Sequence, residues 1–176
     1  MKKLKAIEIK RKSVEEYKQL AKLPLIVILD DIRSMHNVGS IFRTCDAFMV
    51  DRIILCGITA TPPNREITKT ALGATESVIW SYQNDISLIL NELKNDGYII
   101  TGIEQTNESI LLNNFKVEKD KKYAIILGNE ITGLQDKILT QLDYCIEISQ
   151  HGTKHSLNVS VVAGIVINYF SHKMMK

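Results

Sequence analysis

Three short segments of this 176-residue chain hold side chains able to do chemistry. The first is Asp30-Asp-Ile-Arg33-Ser-Met-His36-Asn37-Val-Gly-Ser40-Ile-Phe-Arg43. A spacing of three puts Asn37, Ser40 and Arg43 along one side of a helix, opposite Ile41, Cys45 and Phe48. Free N–H groups at such a helix start, with Arg33, His36 and Arg43 nearby, favour an anion such as phosphate. An ordinary cap plus a surface arginine accounts for the same residues. The second segment, Leu127-Gly-Asn-Glu-Ile-Thr-Gly-Leu134, puts two glycines and the Glu130 carboxylate directly after an apolar run. Glycine lets backbone close on a ligand and Glu130 can hold a polar group there; a plain strand-to-helix turn is the simpler explanation. The third, Ser149-Gln-His-Gly-Thr-Lys-His-Ser156-Leu-Asn158, is a polar loop entering the last helix. Cys145, His151 and His155 suggest zinc, but Gly152 spoils a helical ligand face and no second nearby cysteine completes four ligands. No metal is expected.

The elements that must position these segments follow from patterning. Ser13-Val-Glu-Glu16 reads as a capping box opening a helix to about Ala21. β-rich runs lie at Leu25–Asp30, Arg52–Cys56, Ser77–Tyr82, Tyr98–Ile103, Tyr123–Leu127 and Tyr144–Ile148. Between them fall helical patterns: Val38–Phe48 with Asn37 as cap, Glu66–Leu72, Asp85–Asn95 with Asn84 as cap, Leu134–Leu142 and Ser156–His172. Strands apolar throughout and separated by helices indicate an α/β fold, a mostly parallel sheet of about six strands with helices on both faces. In such sheets ligands bind beyond the carboxyl ends of the strands, where all three segments begin. The last helix is apolar on nearly every side, with Leu157, Val161 and Ile165 on one face and Val159, Val162, Val166 and Phe170 on another. A second chain is expected to cover the latter face; burial under the N-terminal helix is the alternative.

Residues 1–22 carry eight Lys/Arg against three Glu, a balance of +5, whereas the rest of the chain has 14 basic and 17 acidic residues. A basic arm on a mildly acidic body points to a polyanion partner, although a solvated terminus has the same composition. Three scattered cysteines read as buried thiols in a reducing compartment. With no secretory h-region and no apolar run of bilayer length, a cytoplasmic protein without a membrane span is expected. Dinucleotide-binding, P-loop and nucleophile-elbow glycine motifs are all missing.

In order and position, Asn37-x-x-Ser-x-x-Arg43, Leu127-Gly-Asn-Glu130-x-x-Gly-Leu134 and Ser156-Leu-Asn-Val-Ser160 resemble the three motifs of the TrmH (SpoU) branch of the SPOUT methyltransferases. Ala71-Leu-Gly-Ala74 is similar to the family's intermediate segment, and the likeness covers residues 24–170. The resemblance implies S-adenosylmethionine-dependent 2′-O-ribose methylation of RNA; a compact chain without an appended RNA-binding domain leans toward tRNA over rRNA. The resemblance also implies a C-terminal trefoil knot, and a homodimer with active sites at its interface. Residues 24–176 would form the methyltransferase domain and 1–23 a basic arm. Cofactor contacts are implied at Ile103, Glu104, Leu127, Gly128, Asn129, Ile148, Gln150 and Leu157. Asn37 would orient the first motif, Arg43 would act at the 2′-hydroxyl, and Glu130, Ser156 and Asn158 would hold the site together. RNA would be met by Arg33, His36 and Arg43 and by Lys10, Arg11 and Lys12 of the arm. One departure stands out: Ile148-Ser149-Gln150 occupies the place of the family's Ile-Pro-Met. A non-catalytic RNA-binding module with the same fold is the alternative.

Overall fold

The computed structural model describes residues 1–5, 8–9 and 11–175. Seven strands form one sheet: β1 (Leu23–Asp30), β2 (Val50–Cys56), β3 (Ile79–Gln83), β4 (Tyr98–Ile103), β5 (Ile110–Leu111), β6 (Lys122–Leu127) and β7 (Tyr144–Glu147). Their order is β3-β2-β1-β6-β4-β7-β5 and every pairing is parallel. The chain builds outward from β1 to β3, then crosses to the other side of the sheet, creating a topological switch beside β1. Successive side chains take opposite faces of a strand. Leu25, Val27 and Leu29 therefore join Ile53, Leu55, Ile125 and Leu127 in one core, and Ile26 and Ile28 join Ile54, Ile100, Ala124 and Ile126 in the other.

Helices cover both faces, as the apolar strands require. On the first lie α2 (Met35–Ala47), α3 (Arg65–Ala71), the single-turn α4 (Ala74–Ser77) and α7 (Val159–Met175). On the second lie α5 (Ile86–Asn95) and the single-turn α6 (Asp136–Leu139). The N-terminal helix α1 (Val14–Gln19) has the expected capping box, lies against α4 and buries Tyr17. Phe170 of α7 stacks on Phe115 at 5.7 Å and meets Tyr123 edge-on at 5.2 Å, fastening the last helix to the sheet.

Several sequence-based expectations need correction. Two-residue β5 makes the sheet seven-stranded, because a strand that short leaves no alternation to read. The α2 cap is Ser34, not Asn37: the Ser34 side chain accepts from the Asn37 N–H, and Asn37 lies inside the first turn. Likewise Asp85, not Asn84, caps α5. Residues 74–77 form a helical turn rather than the start of β3, and the helix expected over 134–142 shrinks to Asp136–Leu139. The largest correction concerns α7. Val159, Val166 and Phe170, expected to await a second chain, are buried in this chain's own core. The helix starts at Val159 rather than Ser156, and its opposite face stays open, with Val161 and Ile165 exposed by 50% and 38% and Leu157, just ahead of it, by 39%.

Asp30 ends β1 almost fully buried, and burial, reinforced by neighbouring Asp31, pushes its carboxyl up to about 6. A raised carboxyl favours the folded state while protonated, so its contribution to stability falls as pH rises from about 4 to about 6 and stays lost above that. Asp30→Asn is expected to gain about 1–2 kcal/mol at pH 7.5 and almost nothing below pH 4, as measured by urea denaturation at both pH values.

Candidate active site

The carboxyl ends of β6, β4 and β7 are in register, with Leu127 beside Ile103 and Ile103 beside Ile146. These three side chains line a cavity of about 540 Å³. Its walls are the turn after β6 and the loop that enters α7. All eight residues implied as cofactor contacts line it: Ile103, Glu104, Leu127, Gly128, Asn129, Ile148, Gln150 and Leu157. The volume and mixed apolar and polar walls suit a nucleoside-sized ligand. Gln150 is therefore on the cavity wall despite departing from the family pattern.

Asn129 shapes the turn after β6. Its Oδ1 accepts the N–H groups of Ile131 (2.9 Å) and Thr132 (3.1 Å), its carbonyl accepts the Gly133 N–H (2.9 Å), and its Nδ2 donates to the Asp31 carbonyl (2.7 Å). Gly128 is required for this closure: a Cβ there would lie 2.6 Å from the Gly133 carbonyl carbon, and backbone cannot give way.

The turn aims Glu130 at the start of α2. Its Oε2 accepts the Arg33 N–H (2.9 Å), while Oε1 accepts the Ser34 N–H (3.0 Å) and the Asn37 Nδ2 (2.9 Å). The anion expected at this helix start is thus the chain's own carboxylate, which corrects the phosphate reading for the Arg33 and Ser34 backbone. Burial alone would raise the Glu130 carboxyl, but the N–H donors of Arg33, Asn37 and Ser34 outweigh it and hold it below the usual carboxylate range. Asn37 in turn accepts from Asn158 Nδ2 through its Oδ1 (3.1 Å). Asn158 accepts the Ser160 N–H (2.9 Å) and starts α7 with its carbonyl, which accepts from Val161 and Val162. One relay, Glu130–Asn37–Asn158, therefore joins all three sequence segments across separations of 93 and 121 residues.

The remaining candidates are placed less uniformly. Ser156 lines the cavity and is exposed. Arg43 sits on the exposed side of α2 and is not part of the cavity wall among the described residues. Arg33 and His36 are exposed beside the start of α2, and His36 Nε2 already meets Glu66 at 2.8 Å. Arg11 and Lys12 are exposed; Lys10 lies outside the described residues. Among the described residues no His/Cys/Asp/Glu group is placed to hold a metal, and no helix is long and apolar enough to cross a membrane.

Sequence reasoning missed Asp31 and Gln135. Asp31 holds φ of 55°, accepts from the Ile58 N–H (2.9 Å) and from Gln135 Nε2 (2.9 Å), and so ties together the exits of β1, β2 and β6. No local pattern signals this, because the partners lie 27 and 104 residues away.

Against known proteins, the model of the SpoU rRNA Methylase family matches residues 24–168. The chain is 34% identical over 149 residues to the 23S rRNA (guanosine-2′-O-)-methyltransferase RlmB of Neisseria meningitidis, an alignment covering 85% of this chain and 58% of that protein. It spans about three fifths of the length of the curated relatives it matches. Its fold is similar to that of the TrmH/SpoU tRNA modifying enzyme of A. aeolicus, with TM-score 0.82, 26% identity, and coverage of 92% of this chain and 81% of that one. An AdoMet-bound rRNA methyltransferase from Sinorhizobium meliloti shares the fold at TM-score 0.81 and 23% identity, over 95% of this chain and 63% of that one.

Proposed function

This chain belongs to the SpoU rRNA methylase family, and from that premise we propose that it is an S-adenosylmethionine-dependent RNA 2′-O-ribose methyltransferase. The observation carrying the proposal is the Glu130–Asn37–Asn158 relay beside a cavity lined by every implied cofactor contact. S-adenosylmethionine, when bound, supplies an electrophilic methyl group. Ile103, Leu127, Ile148 and Leu157 would hold it with their apolar surface and neighbouring backbone groups, and Gln150 would add a polar contact. The trefoil knot and the division into an arm (1–23) and a methyltransferase domain (24–176) belong to the same proposal.

The protein's task is then to position the acceptor and ease its deprotonation. Arginine, with a pKa above about 12, is a poor base. Arg43 instead holds the phosphate beside the acceptor and stabilises the developing alkoxide, while a phosphate oxygen or water takes the proton. RNA is the substrate class because DNA lacks the 2′-hydroxyl. Glu130, with its lowered pKa, stays ionised and locks Asn37; Asn158 and Ser156 fix the loop that closes over the cavity.

Arg43 stands outside its own chain's cavity, so a site assembled between two copies is part of this reading. The open face of α7, Val161 and Ile165, is the surface this reading gives to that dimer, while Leu157 stays with the cavity. A self-complementary patch meeting its copy about a twofold axis covers it most simply. Ile165→Glu is expected to yield folded monomers near 19.9 kDa by analytical ultracentrifugation, with activity lost alongside. Wild-type protein already monomeric at micromolar concentration would contradict the dimer.

The arm supplies distant phosphate contacts. Deleting residues 2–12 removes six basic residues and one glutamate. RNA affinity is expected to fall about 10-fold or more near 0.1 M salt, with a flatter dependence of log affinity on log salt. An unchanged slope would make the arm a solvated terminus.

Incubation with tritium-labelled S-adenosylmethionine and bulk RNA tests the activity, with tRNA and rRNA fractions supplied separately to examine the tRNA expectation. Label in RNA is expected; RNA binding without label would instead support the non-catalytic module.

A further inference from the structure

Three carboxylates, Glu104, Glu130 and Glu147, line the cavity, and among the described residues no Lys or Arg does. Their hydrogen bonding differs. Glu130 accepts from three N–H donors, as described above. Glu104, immediately after β4, accepts the Leu134 N–H through Oε2 (3.0 Å) and its neighbour Gln105 N–H through Oε1 (2.9 Å). It presses on Gly133, where an added Cβ would collide with Oε2. This carboxylate is fixed at the cavity wall and keeps acceptor capacity toward the interior. Glu147 accepts no hydrogen bond from the described residues.

We propose that Glu104, with Glu147, makes the cavity select a cationic nucleoside ligand over its neutral counterpart, and so separates the methyl donor from the spent product by charge. The inference rests on the methyltransferase reading above. S-adenosylmethionine carries a sulfonium and an ammonium against one carboxylate, a net charge of +1. Transfer of the methyl group leaves the thioether S-adenosylhomocysteine with a net charge of zero. The bond from sulfur to the methyl carbon breaks, the bond from ribose oxygen to that carbon forms, and the hydroxyl proton leaves for solvent or phosphate. The sulfonium charge is the one ionic difference between the two ligands. In a half-open cavity, one unit charge facing fixed carboxylates at separations of several ångströms corresponds to about three- to tenfold in affinity. Product release follows from the same cause that favours donor binding.

Isothermal calorimetry on the full chain reads this without turnover. The ligands are S-adenosylmethionine, S-adenosylhomocysteine and sinefungin, an analogue with an ammonium in place of the sulfonium. Wild-type protein is expected to bind both cationic ligands about three- to tenfold more tightly than S-adenosylhomocysteine, with the preference shrinking at high salt. Glu104→Gln is expected to narrow it about threefold. Glu147→Gln breaks no hydrogen bond among the described residues, is expected to narrow it too, and keeps the test alive should Glu104→Gln unfold. Equal affinities in the wild type, or an unchanged preference in folded variants, would overturn the inference alone. Binding of none of the three would overturn the methyltransferase reading and this inference with it.

Discussion

Arg43→Ala is expected to lower methyl transfer by at least about 10²–10³-fold, the usual loss when a group that stabilises developing negative charge is removed. Cofactor affinity should change by less than about twofold, because Arg43 lies outside the cavity wall. Stability should hardly move, since surface substitutions away from special features typically stay within about 0.5 kcal/mol. Calorimetry with S-adenosylhomocysteine and a methyl-transfer assay separate these effects. Loss of cofactor binding would place Arg43 in the cavity after all, and surviving turnover would remove it from the chemistry. Lysine should rescue poorly, since it is a point charge without the guanidinium fork that matches phosphate.

Glu130→Ala is the second large effect and acts differently. It leaves the Arg33 and Ser34 N–H groups and the Asn37 amide without their acceptor. The Arg33 N–H is exposed and turns to water, whereas the Ser34 N–H and the Asn37 amide are part-buried; an unmet buried donor costs about 1–3 kcal/mol, so a net loss of about 2 kcal/mol is expected. Turnover should fall with it, because Asn37 and Asn158 lose their anchor. Glu130→Gln keeps one acceptor oxygen and should fall between. The lowered Glu130 pKa gives a further signature. Its stabilisation is complete above the ordinary carboxyl range and is lost as pH falls through the depressed folded value. The stability gap between wild type and Glu130→Ala should therefore close on acidification. A gap that persists in full to pH 2 would mean that Glu130 stabilises by packing rather than charge.

These two residues also show how far the sequence could be read. Asn37, Arg43, Glu130 and Asn158 were all legible as members of three ordered motifs, and the cavity gathers every implied cofactor contact. The alternation of apolar strands and helices gave an α/β parallel sheet, and a family match over residues 24–168 agrees with the resemblance. Local patterns could not say who partners whom. The N–H groups at the start of α2 look free for phosphate because the helix has no acidic residue in its first turn; their acceptor, Glu130, is 96 and 97 residues away. Helix α7 was misread for a related reason. A helix apolar all round carries no periodic signal to say which face meets the core, and only the Phe115–Phe170–Tyr123 packing decides it. Asn37 resembled a cap because asparagine favours that position, yet Ser34 three residues earlier already fills it.

The central claim is that the methyl group goes to the ribose oxygen of RNA, and mass spectrometry of the digested reaction product tests it most directly. RNA incubated with the purified protein and S-adenosylmethionine carrying a deuterated methyl group should yield a nucleoside with the label on its sugar fragment, and Arg43→Ala should yield none. Label on the base fragment, or no labelled nucleoside from RNA that the protein demonstrably binds together with the cofactor, would contradict the account.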